Sequence, residues 1–330
     1  MAVTANTNET YDVTTIREDL SQAMASITPT ETIFMSTIGS RNVDNTFFEW
    51  SEVDLAATGA NRQIEGDVGL SNTAPTNAVR KGNHTQISAK VVEVSSTNQA
   101  VNGVANAQTI AKQVAYKLSE LKRDMEAMLL SNVPASSGSS GTARQTAGLP
   151  AYLTTNVSRG SGGANGTTSG SGESGTVNAA ATDGTLRPLT EALLKDVIAS
   201  CWENGAQPSI VMVGAKQKQK ISTFTGNATR FKQAEDSKLN AAIDIFISDF
   251  GELQIVPNRH MRVRTVSSVD YTPDVFVLDP SYAEVAYLQT AKQEPLAKTG
   301  LSERRLISCE YGLQVTSQKA HGIVADVNAS

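Results

Sequence analysis

The strongest periodicity in the chain lies between Ala107 and Leu130. Apolar residues fall at 107, 111, 114, 118, 121, 125 and 128, in alternating steps of four and three. Lys112, Lys117, Glu120, Lys122, Arg123, Asp124 and Glu126 occupy the other side. This spacing predicts an amphipathic helix roughly 36 Å long at 1.5 Å per residue, closed by Ser131, Asn132 and Pro134. Two shorter helices precede it. Thr15-Ile16-Arg17-Glu18 reads as a capping box. Thr28-Pro29-Thr30-Glu31 combines a capping hydroxyl, a proline at the first helical position and a reciprocal glutamate. A fourth helix, within 186–205, carries Leu189, Leu193, Val197, Ile198 and Cys201 on one stripe and ends at Gly205.

Period-two alternation marks the strands. "TFFEWSEVDL" (46–55) puts Phe48 and Trp50 on one face, and its expected partner is "HTQISAKVVEV" (84–94), where Ile87, Ala89 and Val91 alternate with polar neighbours. Between them, residues 56–83 carry almost no large apolar side chains and read as the polar tip of a projecting hairpin. "SIVMVG" and "DVFVLD" are short buried-strand runs, and "RRLISCEYGLQVTSQ" (304–318) alternates. Helices and strands in this order predict an α+β fold with an at least partly antiparallel sheet.

Composition narrows the function. Charged residues are 18% of the 330, aromatics 5%, and the net charge is -5. A dedicated nucleic-acid binder needs clustered Lys and Arg to neutralise phosphates, so that class is disfavoured. No basic-then-apolar leader and no run of 18 apolar residues occurs, which predicts a soluble, intracellularly made protein without a membrane. Cys201 and Cys309 read as buried free thiols.

Candidate chemistry is sparse. His84, His260 and His321 have no ligand-spaced companions, so no metal, cofactor or catalytic residue is nominated. The glycine-serine run "SRGSGGANGTTSGSGESG" (158–175) lacks the lysine and the leading strand of a phosphate loop, and is expected to be a solvated loop. What remains are features that serve an assembling subunit better than a monomer: a polar N-terminal stretch and a long polar hairpin.

Specific strings carry a resemblance. "TPTETIF" (28–34), "IEGD" (64–67), "GNHTQIS" (82–88), "ELKRDMEAMLLSN" (120–132), "GLPAYLTTNVSRG" (148–160), "CWENG" (201–205), "VPNRHM" (256–261), "VLDPSYAEVAYL" (277–288) and "KTGLSERRLISCEYGLQVTSQKAHG" (298–322) occur together in this order. Jointly, over roughly residues 9–327, they resemble the major capsid proteins of tailed bacteriophages with the Hong Kong 97-type shell fold. The resemblance implies an N-terminal arm with short helices (1–45) and an extended β-hairpin loop (46–100) that reaches over a neighbouring subunit. It further implies a peripheral domain (101–185) on a spine helix (107–130) and an axial domain (186–269). C-terminal strands (270–330) return to the peripheral and axial sheets.

The same resemblance implies function. Copies assemble as pentamers and hexamers into an icosahedral virion shell, built in the host bacterial cytoplasm around double-stranded DNA that is held without sequence-specific binding. A scaffolding protein, a portal and a decoration protein are the further partners. The N-terminal extension looks too short to act as the chain's own scaffold. Arg62, Glu65, Asp67, Arg80 and Lys81 on the loop, with Arg304 and Arg305, are the candidate inter-subunit contacts. Two alternatives stay open: an encapsulin-like nanocompartment shell of the same fold, and a cytosolic α+β enzyme.

Overall fold

The computed structural model describes residues 28–63, 65–66, 75–101, 109–170, 174–224, 245–261, 264–266, 269–271, 274–298 and 300–328. The capping box at Thr15 lies outside them. In chain order the elements are α1 (Ile33–Thr37), β1 (Gly39–Asn42), β2 (Phe47–Glu52), β3 (Val79–His84), β4 (Gln86–Ser95), α2 (Ser96–Ala100) and α3 (Ile110–Leu129). Next come α4 (Leu149–Tyr152), β5 (Val157–Ser158), β6 (Thr167–Thr168), β7 (Gly175–Ala179), α5 (Glu191–Glu203), β8 (Ile210–Val213) and α6 (Ala215–Ile221). The remainder is strand-rich: β9 (Ile245–Ser248), β10 (Gly251–Pro257), β11 (Arg264–Val266), β12 (Val269–Tyr271) and β13 (Val275–Leu278). β14 (Ala283–Pro295), β15 (Ser302–Val315) and β16 (Gly322–Val324) complete it.

α3 lies on a four-stranded sheet of order β1-β14-β15-β4. Leu121, Met125 and Leu129 of the helix share a core with Val92 and Val94 of β4 and with Ile307 and Cys309 of β15. Lys90 on the same face of β4 reaches Asp124 of the helix at 2.6 Å. The alternating set Ile87, Ala89 and Val91 is the face turned away from the helix, with Ile87 and Val91 exposed. The partner changes too: β4 pairs with β15, from Ser95↔Ser302 to Gln86↔Tyr311, while β2 pairs with the polar strand β3. Alternation alone cannot tell the two faces of a strand apart, and here the helix decides which one is buried.

The second sheet has six strands, β5-β16-β13-β8-β10-β9, and is not confined to residues 186–269, since β5, β13 and β16 belong to it. Val211, Val213, Val275 and Val277 enter one core with α5 and α6. Their neighbours Met212, Phe276, Leu278 and Ile323 enter the core beneath α3. Burial on both faces explains why "IVMV" and "VFVL" are continuous apolar runs.

The glycine-serine run is not a free loop. Its second half contains β6 and ends at the first residue of β7; these strands pair with each other, and β7 joins β3 in parallel at Lys81↔Gly175. This makes a third sheet, β2-β3-β7-β6. Gly160 sits so close to residue 185 that a Cβ there would lie 2.0 Å from the Thr185 carbonyl oxygen.

One residue of the long helix departs from its pattern. Glu126, expected on the polar side, is fully buried. Its carboxylate accepts the backbone N–H groups of Phe34 (2.6 Å) and Met35 (2.9 Å) and the Asn258 side-chain amide (2.8 Å). One side chain thus joins α1, α3 and the end of β10.

Candidate assembly surface

The β2–β3 hairpin is clamped at its base. Phe48 and Trp50 are buried, and the Trp50 ring lies 6.1 Å from that of Tyr152. Phe48 packs against β15 where Gly312 leaves room: a Cβ at 312 would meet its ring at 2.7 Å. Asn83 is fully buried and uses its whole amide. Its NH2 group donates to the Leu313 carbonyl (2.7 Å) and to Thr146 Oγ1 (3.0 Å), while its oxygen accepts the N–H groups of Ala147 (3.0 Å) and His84 (2.8 Å). The Tyr152 hydroxyl donates to the Gly82 carbonyl at 3.1 Å, and burial pushes that phenol up from its ordinary pKa. Lys81 is buried and paired with Glu52. β3 is polar in sequence yet inside the molecule, because each buried polar group has a partner.

Beyond the base the character inverts. Every described residue from Val53 to Ala78 is exposed, including Leu55 at 85% and Val53 at 57%. One ion pair, Asp54 with Lys319 at 2.5 Å, fixes the root of the outgoing limb. None of the limb's described residues is buried. An apolar strip is also open on the body: Ile87 and Val91 of β4, with half-buried Leu306 opposite Val91. At one end of it, a groove is lined by Ile87, Ser139, Thr142 and Arg144.

The seven sequence-nominated contacts fall into different settings. Arg62 and Glu65 are exposed on the projecting limb, and Asp67 lies outside the described residues. Arg80 is exposed and pairs with Glu49 across the hairpin. Lys81 faces inward to Glu52. Arg304 contacts Glu93 at 3.3 Å on the neighbouring strand, and Arg305 donates to Glu303 at 3.0 Å. The structure does not gather the six described ones into one cluster. Sequence reasoning missed Glu126, Asn83 and the exposed strip on β4; their environments are set by distant segments and leave no local signal.

The remaining reactive groups are sequestered. Burial pushes the Cys201 thiol up to about 12 and that of Cys309 to about 11. The buried ring of His321 is lowered to about 4, chiefly by desolvation. Its Nδ1 accepts the Asp279 N–H and its Nε2 faces the Tyr282 carbonyl, both at 3.4 Å, an arrangement that suits a neutral imidazole. Among the described residues, no group of three or more His, Cys, Asp and Glu is placed to hold a metal.

Comparison with known proteins adds an independent line. A family model described as SU10 major capsid protein matches residues 3–328. The major capsid protein of Escherichia phage Phieco32 is 25% identical over 335 residues, covering 90% of each chain. Among solved structures, the capsid of an empty GTA particle superposes with a TM-score of 0.62 at 13% identity, covering 97% of this chain and 98% of that one. The holo-SrpI encapsulin of Synechococcus elongatus PCC 7942 gives 0.54 at 12% identity, covering 96% and 94%.

Proposed function

The chain belongs to the SU10 major capsid protein family, and from that premise we propose that its copies lock together by laying the β2–β3 hairpin of one subunit over the next. It is a virion shell subunit of a tailed phage with the Hong Kong 97-type fold. In this reading β2, β3 and the limb between them are the extended loop, and α3 with its four-stranded sheet is the peripheral domain. The six-stranded sheet with α5 and α6 is the axial domain. Residues before α1 are the arm. Copies close as pentamers and hexamers, in the host cytoplasm, with a scaffolding protein, a portal and a decoration protein as partners. Double-stranded DNA fills the interior without sequence-specific contacts, in keeping with a net charge of -5. The role is structural, with no catalysis assigned.

The observation that carries the proposal is the contrast along the hairpin. Its base is buried, with Asn83 fully hydrogen-bonded, while its limb exposes Val53 and Leu55 and is tied to the body at its root by Asp54 and Lys319. Such a segment gains stability only from a partner. The receiving surface we assign is the open strip of Ile87 and Val91 on a neighbour. An encapsulin-like compartment is the second reading, favoured by the shared fold; copurified DNA or a copurified enzyme separates the two.

The test replaces residues 55–76 by an Asn-Gly turn, which leaves β2, Asp54 and β3 intact. Wild-type protein is expected to form rings, tubes or shells under negative stain. The trimmed subunit is expected to keep its thermal midpoint and stay unassembled. Assembly of the trimmed subunit at wild-type levels would overturn the assignment.

A further inference from the structure

At the six-stranded sheet, Trp202 and Phe250 pack with ring centroids 5.0 Å apart. Both remain open to solvent, at 50% and 42%. Trp202 stands at the end of α5 and Phe250 in the turn between β9 and β10. Glu203 and Asp249, each the sequence neighbour of one ring, are exposed. Lys195 pairs with Glu191 at 2.7 Å and also feels the Asp249 charge, so one cation is shared between two carboxylates. An aromatic pair flanked by carboxylates selects a cationic partner twice over, by charge and by the negative ring faces.

The same domain carries such a cation source. α6 reads Ala-Lys-Gln-Lys-Gln-Lys-Ile, three lysines and no acid. Lys218 is turned inward, donating to the Ile255 carbonyl at 3.0 Å. Lys216 is exposed and Lys220 half-buried, and among the described residues neither has an acidic partner. Within one subunit the two surfaces start from opposite ends of β10. β10 begins beside Phe250, whereas α6 follows Val213, which pairs with Pro257 at the far end of β10. Those ends are about 20 Å apart at 3.3 Å per residue.

We infer that Trp202, Phe250, Glu203 and Asp249 receive the lysine face of α6 from a second copy of this chain. The contact is head-to-tail, so one copy's α6 fills the next copy's aromatic site and its own site is filled in turn. Repeated around an axis, this closes a ring. The inference rests on the reading of the chain as a self-assembling shell subunit, and it adds a contact independent of the hairpin.

Charge exchange tests it on the full-length protein. Lys216→Glu with Lys220→Glu sets like charges against each other, as does Glu203→Lys with Asp249→Lys, which is strongly unfavourable across an interface. Each pair of substitutions is expected to cut the assembled fraction about tenfold or more. Combining all four restores the attraction with the signs exchanged, and assembly should recover. Every substituted site is exposed or half-buried, and an unchanged thermal midpoint checks folding. Glu203→Cys with Lys216→Cys, oxidised, should give a ladder of covalent multimers. Variants that assemble like wild type, or a fourfold variant that fails to recover with no ladder from the cysteine pair, overturn the inference. A wild-type protein that stays monomeric instead contradicts the shell reading beneath it.

Discussion

Replacing Glu126 should do more damage than replacing any surface carboxylate. The side chain is fully buried and accepts three hydrogen bonds, from Phe34 N–H, Met35 N–H and the Asn258 amide, at 2.6, 2.9 and 2.8 Å. Hydrogen bonds to a charged acceptor are worth about 1.5–3 kcal/mol each, and a buried donor left unmet costs about 1–3 kcal/mol. Glu126→Ala strands all three donors and opens a void, so the loss should be about 5 kcal/mol. That is comparable to the whole stability of a marginal domain. Glu126→Gln retains one acceptor oxygen for two of the donors but turns its NH2 toward the third, and should lose about half as much.

The assay is urea unfolding at fixed protein concentration and oligomeric state, because association adds to apparent stability. Hydrogen exchange at Phe34 and Met35 supplies a local readout. The reasoning predicts that both amides lose protection in Glu126→Ala before the α3 core opens. Asn258→Ala combined with Glu126→Ala should be less than additive, since both remove one shared bond. Unchanged protection at Phe34 and Met35, with stability within about 1 kcal/mol of wild type, would refute the joint.

The other predictions concern groups whose settings the fold determines. His321 has a folded pKa of about 4 against an ordinary 6.5, so the unfolded chain binds the proton more readily. Its contribution of about 3 kcal/mol is present above pH 6.5 and is lost as pH falls towards 4; His321→Gln should flatten that limb of a stability–pH profile, with Asp279 the nearby charge. Glu52→Gln leaves Lys81 buried without its carboxylate and should cost about 3–5 kcal/mol, whereas Glu52→Leu with Lys81→Met should recover most of it; denaturation midpoints of the set measure this. Cys201 and Cys309, buried with raised pKa values, should be inert to a thiol reagent at pH 8 in the native protein and react fully once unfolded.

How much of this was legible in the sequence depended on whether a residue's environment is local. α3 was readable because a three-four spacing needs only one helix and one apolar surface. β8 and β13 were readable because burial on both faces leaves continuous apolar runs. β3 was not: "VRKGNH" carries no apolar pattern, and its burial depends on Glu52, Thr146 and Leu313, the last 230 residues away from Asn83. β4 shows the opposite failure. Ile87, Ala89 and Val91 have the pattern of a core face, but Val92 and Val94 are the ones beneath α3. An exposed apolar strip of this kind suits an interface, as proposed above, so alternation by itself does not mark the core. Of the nominated contacts, Arg62 and Glu65 stand on the exposed limb, while Lys81 faces inward, because charge alone does not distinguish a surface residue from a buried ion pair.

The central claim is that the β2–β3 hairpin is an inter-subunit clasp. Cryo-electron microscopy of particles assembled from the full-length chain tests it most directly. The expected result is a closed shell in which Val53 and Leu55 of each subunit lie on the Ile87–Val91 strip of a neighbour. A shell in which the hairpin folds back on its own subunit would contradict it.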